Sequence, residues 1–162
     1  MIRVIVPTYN RVASLKRCVE SVILQEYDGL ELIAIDDFSK DETREYLTLL
    51  AKEHPFIKVL FNKENYGVNY TRNRGIEAAS KKFILFLDSD DALVEGSLVK
   101  VKNTILTHSS TKHFLFIVSD RKEEFKNAPE SVLIQYEDWL TGNIYGDFTH
   151  VMLTDIMKKY LF

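Results

Sequence analysis

Short, nearly continuous apolar runs alternate with stretches of helical period along this chain. Ile2–Pro7, Leu30–Ile35, Ile57–Phe61, Phe83–Leu87 and Phe114–Ser119 have the length and makeup of strands buried on both faces. Between them, Ser14 is a candidate cap for a helix to about Glu26, and Ser39 with Glu42 has capping-box spacing for a helix to about Glu53. Asn65-Tyr66-Gly67 predicts a turn before a helix from about Asn69 to Ser80, and Leu98, Val101 and Ile105 set a helical period between about Gly96 and Thr107. Strands alternating with helices predict an α/β fold with a mostly parallel central sheet covered on both faces. Beyond Ser119 the pattern weakens. Arg121–Asn127 reads as a charged connection, Glu137–Leu140 as one helical turn, Thr149–Leu153 as a short strand and Thr154–Tyr160 as a helix.

Composition narrows the class without naming a function. The 162 residues fit one domain, and 46% apolar with 28% charged residues is a globular balance rather than a disordered one. A formal charge of -3 argues against nucleic-acid binding as the main task. The single Cys18 excludes an intrachain disulfide, and its place in the stripe Leu15, Cys18, Val19, Val22, Ile23 predicts a core position. No apolar run approaches the ~20 residues that cross a bilayer, and the chain opens directly on a strand, so no secretory leader is expected. The stretch Met157–Phe162 mixes basic and apolar residues. It has two readings: a peripheral contact with a membrane surface, or a helix end whose packing partner lies beyond Phe162.

The polar residues gather where an open parallel sheet binds ligands, beyond the carboxyl ends of its strands. The first predicted strand ends in Pro7-Thr8-Tyr9-Asn10, the second in Asp36-Asp37-Phe38-Ser39, and the fourth in Asp88-Ser89-Asp90-Asp91. Three carboxylates in four positions repel one another, and a divalent cation held by one or two of them relieves that repulsion while leaving coordination sites for a diphosphate. The alternative is a solvated loop with a helix cap, for which Asp91 is the best candidate. Asp88 and Asp90 point the same way if the segment stays extended. Tyr9 offers a face on which a base could stack, or is a half-buried loop aromatic. Asp37 is placed to accept from a base N–H, or to cap the following helix. Arg72 is a forked donor for a phosphate or base carbonyl, or an unpartnered surface arginine. Gly75 predicts close backbone packing. His54, His108, His113 and His150 show no metal-ligand spacing. No G-x-G-x-x-G follows the first strand and no P-loop is present, which argues against dinucleotide enzymes and P-loop phosphotransferases.

Four segments stand in order: Val4–Asn10, Asp36–Thr43, Asn65–Gly67 with Arg72–Gly75, and Phe86–Asp91. Together they resemble the family 2 glycosyltransferases over roughly residues 1–107. The resemblance implies the GT-A (Rossmann-like) fold as a single domain, with a nucleotide-sugar-binding half over 1–110 and a partial acceptor-side half over 111–162. It implies inverting transfer from a nucleotide-diphosphate sugar, often a UDP-sugar, to a hydroxyl acceptor that is a glycan, a lipid-linked molecule or another alcohol. In such relatives the residue matching Tyr9 stacks on the base beside Pro7 and Thr8, and the acid matching Asp37 binds the uracil edge. The arginine matching Arg72 lies beside the nucleotide. The acid matching Asp90 ligates Mn2+ or Mg2+, and Asp88 completes the Asp-x-Asp signature. The resemblance also implies a cytoplasmic setting, at the inner face of the membrane. Inversion requires a carboxylate base, which relatives carry in a late acidic motif that is not recognisable here. Asp147 and Asp155 are the available carboxylates, without the expected surroundings, so the chain reads as C-terminally truncated just before the base. The alternatives are a donor-binding fragment without transfer activity, and a scaffold that has kept only the fold.

Overall fold

The computed structural model describes residues 2–25, 27–117 and 148–162. The predicted segments at 121–127 and 137–140, and Asp147, lie outside these residues.

Six strands form one sheet: β1 (Ile2–Thr8), β2 (Glu31–Asp36), β3 (Ile57–Phe61), β4 (Phe83–Phe86), β5 (His113–Ile117) and β6 (Phe148–Leu153). Their spatial order is β3-β2-β1-β4-β6-β5. β1 to β4 are mutually parallel, while β6 runs antiparallel between β4 and β5. The chain winds outward from β1 in one direction through β2 and β3, then crosses back to place β4 on β1's other side. The strand order therefore reverses between β1 and β4.

The continuous apolar runs reflect burial on both faces. Alternate residues of one strand enter two separate cores. Val4, Leu32, Ala34 and Leu85 pack with Leu15, Val19 and Val22 of α1 (Val12–Ile23), Leu47 of α2 (Thr43–Glu53), and Leu98 and Val101 of α4 (Ser97–Thr107). Ile5, Ile33, Ile35 and Ile84 pack with Ile76 of α3 (Val68–Ala78) and Met157 of α5 (Thr154–Lys159). Gly75 of α3 lies so close to the sheet that a Cβ there would stand 2.6 Å from Ile5 Cγ2. Arg3, wholly buried at the start of β1, pairs with Glu31 and donates to Ser80 Oγ at 2.9 Å. Burial lowers its pKa to about 10.

Two helix starts differ from the sequence reading. α1 begins at Val12, ahead of Ser14, and the Val12 N–H donates to Asp41 Oδ2 at 3.2 Å. The cap thus comes from the neighbouring loop. Ser14 instead donates to the Arg11 carbonyl. α2 begins at Thr43, whose N–H donates to Asp41 Oδ1 at 3.1 Å, so no Ser39–Glu42 capping box forms. Burial works against the charge on Asp41, but the hydrogen bonds from Thr43 and Val12 outweigh it and hold its pKa below the usual carboxylate value.

Candidate functional site

The β1–α1 loop and the β2–α2 loop are tied together at the carboxyl edge of the sheet. Asn10 has φ +49°, a left-handed conformation that asparagine tolerates better than most residues. Its N–H donates to Ser39 Oγ at 2.8 Å and its Oδ1 accepts from Lys40 N–H at 2.7 Å. Phe38 also sits at positive φ, +70°. This turn separates the work of two adjacent acids. The wholly buried Asp36 accepts from the Ser39 N–H and pairs with Arg44 at 3.2 Å, so it is structural. Asp37 turns toward the entry of α3.

Asp37 is the organising acid of that entry. Its Oδ1 accepts from Asn62 Nδ2 at 2.6 Å and Tyr66 N–H at 3.0 Å, and its Oδ2 accepts from Gly67 N–H at 2.8 Å. The capping alternative raised for Asp37 thus applies, but to the segment entering α3 rather than to α2. Gly67 enters α3 with φ +84°, where a side chain would be strained. The second oxygen of Asp37 keeps acceptor capacity, since a carboxylate offers about four lone-pair directions.

After β4 the chain does not stay extended. The Asp91 N–H donates to the Asp88 carbonyl at 3.0 Å, closing a turn over Asp88–Asp91. This corrects the expected alternation of side chains. Asp91 is also six residues ahead of α4 and does not cap it. Ser89 is buried by the turn, while the Asp88 and Asp90 carboxylates are each about half exposed. Cys18 of α1 lies beneath, its thiol donating to the Asp88 carbonyl at 3.6 Å. Burial first, and then the charges of Asp91, Asp88 and Asp90, push that thiol up to about 12. It remains protonated and is no nucleophile.

These pieces enclose one hollow of about 460 Å³, within the range of small-molecule sites. Pro7, Thr8, Tyr9, Asp37, Arg72, Asp88 and Asp90 all line it, on three strand tips and one helix start at the point where the strand order reverses. Tyr9 is 42% exposed, so a ring face is open to a planar ligand. Two polar atoms of the lining are buried and unpartnered, Thr8 Oγ1 and Arg72 Nε. Such atoms are rare in folded proteins and point to a missing polar partner. A second hollow of about 570 Å³ lies between the end of α1 and the start of α4. There Gln25 donates to the Ser21 and Val94 carbonyls and accepts from Ser97 and Leu98, leaving no such unpartnered atom.

Both half-exposed carboxylates face positive charge. Asp88 Oδ1 accepts from Arg72 Nη2 at 2.8 Å, and Asp90 pairs with Arg11 while its carbonyl accepts from Arg17. Each carboxylate is already balanced by an arginine, and among the described residues no three metal-ligating side chains come together, so Mg2+ or Mn2+ held at this turn would take most of its oxygens from a bound ligand. Arg72 is also bracketed by rings, with its guanidinium 5.9 Å from Phe86 and 5.8 Å from Phe162. Asp155 stands elsewhere. β6 runs opposite to β4, and Leu153 pairs with Phe83, so the first turn of α5 lies at the amino edge of the sheet, away from the hollow.

Arg11, Arg17 and Asn62, which line or support the hollow, escaped the sequence reading, while Asn65 and Thr71 enter it only as part of the nearby turn and helix start. Asn62 follows β3 directly, so extending the strand-end rule to the third strand would have found it. Arg11 follows the first polar cluster by one residue. Arg17 carries no local signal.

The sequence profile of glycosyl transferase family 2 matches residues 3–149. The GalNAc(5)-diNAcBac-PP-undecaprenol beta-1,3-glucosyltransferase of Campylobacter jejuni is 31% identical over 166 residues, covering 98% of this chain and 53% of its own length. S. aureus TarS 1-349 in complex with UDP-GlcNAc superposes with a TM-score of 0.76 at 25% identity, covering 98% of this chain and 46% of the TarS chain. The mannosyltransferase PcManGT from Pyrobaculum calidifontis, solved with GDP-Man and Mn2+, shares the fold with a TM-score of 0.70 at 17% identity, over 98% of this chain and 46% of its own. The chain thus spans about half the length of these relatives. Its sheet is the mixed α/β sheet of the GT-A glycosyltransferases, and the chain belongs to glycosyl transferase family 2.

Proposed function

We propose that this chain binds a nucleotide-diphosphate sugar, a UDP-sugar foremost, together with Mn2+ or Mg2+, and serves inverting transfer of the sugar to a hydroxyl acceptor. The observation that carries the reading is the single hollow in which Tyr9, Asp37, Arg72, Asp88 and Asp90 meet beside two unpartnered buried polar atoms. Tyr9 stacks on the base, with Pro7 and Thr8 lining the same wall, and the spare acceptor direction of Asp37 takes a base N–H. Arg72 lies beside the nucleotide, and Asp90 with Asp88 holds the cation. When bound, the cation stabilises the charge left on the diphosphate as the sugar departs. The name of the C. jejuni relative, an undecaprenol-linked glycan glucosyltransferase, supports a lipid-linked acceptor, and this reading sets the chain at the cytoplasmic face of a membrane. Among the described residues no helix is long and apolar enough to cross one. In this reading residues 1–110 form the donor half and 111–162 part of the acceptor side.

Calorimetric titration with UDP, with and without Mn2+, tests the proposal. Asp90→Ala is expected to weaken Mn2+-dependent UDP binding about tenfold, roughly 1.4 kcal/mol. Tyr9→Ala is expected to weaken UDP binding while leaving its metal dependence intact. Metal dependence unchanged in Asp90→Ala removes that residue from the site. A second reading, donor binding without transfer, is favoured by Asp155 lying at the far edge of the sheet. UDP binding without sugar release in the presence of acceptor supports it.

A further inference from the structure

The two carboxylates at the tip of β4 are balanced by arginines held in different ways. Arg72, on Asp88, is fixed by the Phe86 and Phe162 rings. Arg11, on Asp90, has no ring against it among the described residues, and its side chain is half exposed on the wall of the hollow. Its backbone is pinned. The Arg11 N–H donates to Thr43 Oγ1 at 3.4 Å, its carbonyl accepts from Leu15 N–H at 2.9 Å, and the preceding Asn10 is bonded to Ser39 and Lys40. The anchor is therefore fixed while the guanidinium is held by the ion pair. A guanidinium and a divalent cation cannot share the same carboxylate oxygen at contact distance without strong like-charge repulsion.

Resting on the function proposed above, we propose that Arg11 is an exchange residue. It balances and orients Asp90 in the free protein, yields that carboxylate to the divalent cation, and turns its freed guanidinium to the donor's diphosphate. Forked donors suit phosphate oxygens. Arg17 holds the Asp90 carbonyl throughout, so the turn keeps its shape during the exchange. One residue thereby opposes the cation when it binds alone and favours the nucleotide once the cation is present.

The test is Arg11→Gln, which keeps a long polar side chain without the charge. Mn2+ binding without nucleotide, read by electron paramagnetic resonance, is expected to tighten about fivefold, the equivalent of one exposed ion pair. In saturating Mn2+, UDP binding is expected to weaken about tenfold, whereas uridine, which has no diphosphate, binds as in the wild type. Unchanged or weaker Mn2+ binding alone overturns the inference, as does an equal loss for uridine and UDP. Failure of the wild-type protein to bind UDP with Mn2+ overturns the proposed function itself, and is distinguishable because it precedes any substitution.

Discussion

Asn73 and Phe162 hold each other through a reciprocal pair of hydrogen bonds: Asn73 Nδ2 donates to the Phe162 carbonyl at 3.0 Å, and the Phe162 N–H donates to Asn73 Oδ1 at 2.9 Å. The pair closes the path from α5 back to α3 and sets the Phe162 ring edge-on to Phe86, 5.7 Å away. Arg72 lies against both rings, so its direction is fixed before any ligand arrives. Phe162→Ala and Asn73→Ala are each expected to weaken UDP binding about two- to fivefold, the range of an exposed cation–π contact. Thermal stability should barely move, because Phe162 is 56% exposed. Wild-type UDP affinity in both variants would show that this end of the chain does not preorganise Arg72.

Asp37 supports the hollow as well as lining it. Removing its carboxylate orphans the Tyr66 N–H, leaves the Gly67 N–H only its longer bond to Asn65 Oδ1 at 3.2 Å, and removes one of the two Asn62 Nδ2 bonds. Asp37→Ala is expected to lower unfolding free energy by about 2–3 kcal/mol, since charge-assisted acceptors are lost while their donors stay in place. Asp37→Asn, which keeps one acceptor oxygen, should fall between wild type and alanine. Urea denaturation gives the order directly. A loss of UDP binding in Asp37→Asn larger than its loss of stability then isolates the contact with the base.

Gly75 poses a contest between two small terms. Alanine gains about 1 kcal/mol of helix propensity, but its Cβ would meet Ile5 Cγ2 at 2.6 Å and Ile35 Cδ1 at 3.1 Å, in a β-strand core that has no slack. Overpacking typically costs about 1–3 kcal/mol. Gly75→Ala is therefore expected to be net destabilising by about 1 kcal/mol, read as a lower urea midpoint at unchanged slope. A higher midpoint would mean that α3 can lift off the sheet at little cost.

Much of this was legible in the chain because strands buried on both faces have no polar face to blur them. Leu32, Ala34 and Ile35 sit in different cores yet read as one run, and the acids stood out because they interrupt such runs at their ends. Helix starts were less legible. The N–H of Val12 is satisfied by Asp41, 29 positions away, so no local pattern could name it. The place of β6 between β4 and β5 was equally hidden, since strand order is a property of the packed sheet. The same holds for Asp37. Its spacing suited a cap on α2, but the left-handed turn at Phe38 aims it at Gly67 instead.

His113 and His150 show what spacing alone conceals. They are 37 positions apart and lie diagonally across β5 and β6, with Nε2 of one 3.0 Å from Nδ1 of the other and their rings stacked at 5.1 Å. Burial lowers the pKa of both from the ordinary 6.5, and the charge of His150 lowers His113 further. Below about pH 6.5 the unfolded chain binds protons that the folded pair resists, so unfolding takes up protons and stability falls as pH falls. Above that pH both states are neutral and the effect vanishes. The wild-type urea midpoint is expected to drop between pH 7 and pH 5, and a His113→Thr, His150→Thr variant should show a shallower decline over the same window. Equal slopes would mean that the pair titrates as it does in the unfolded chain. A slope that survives in the variant would then trace to carboxylates such as Asp41, whose lowered pKa places its own loss of stability at more acidic pH.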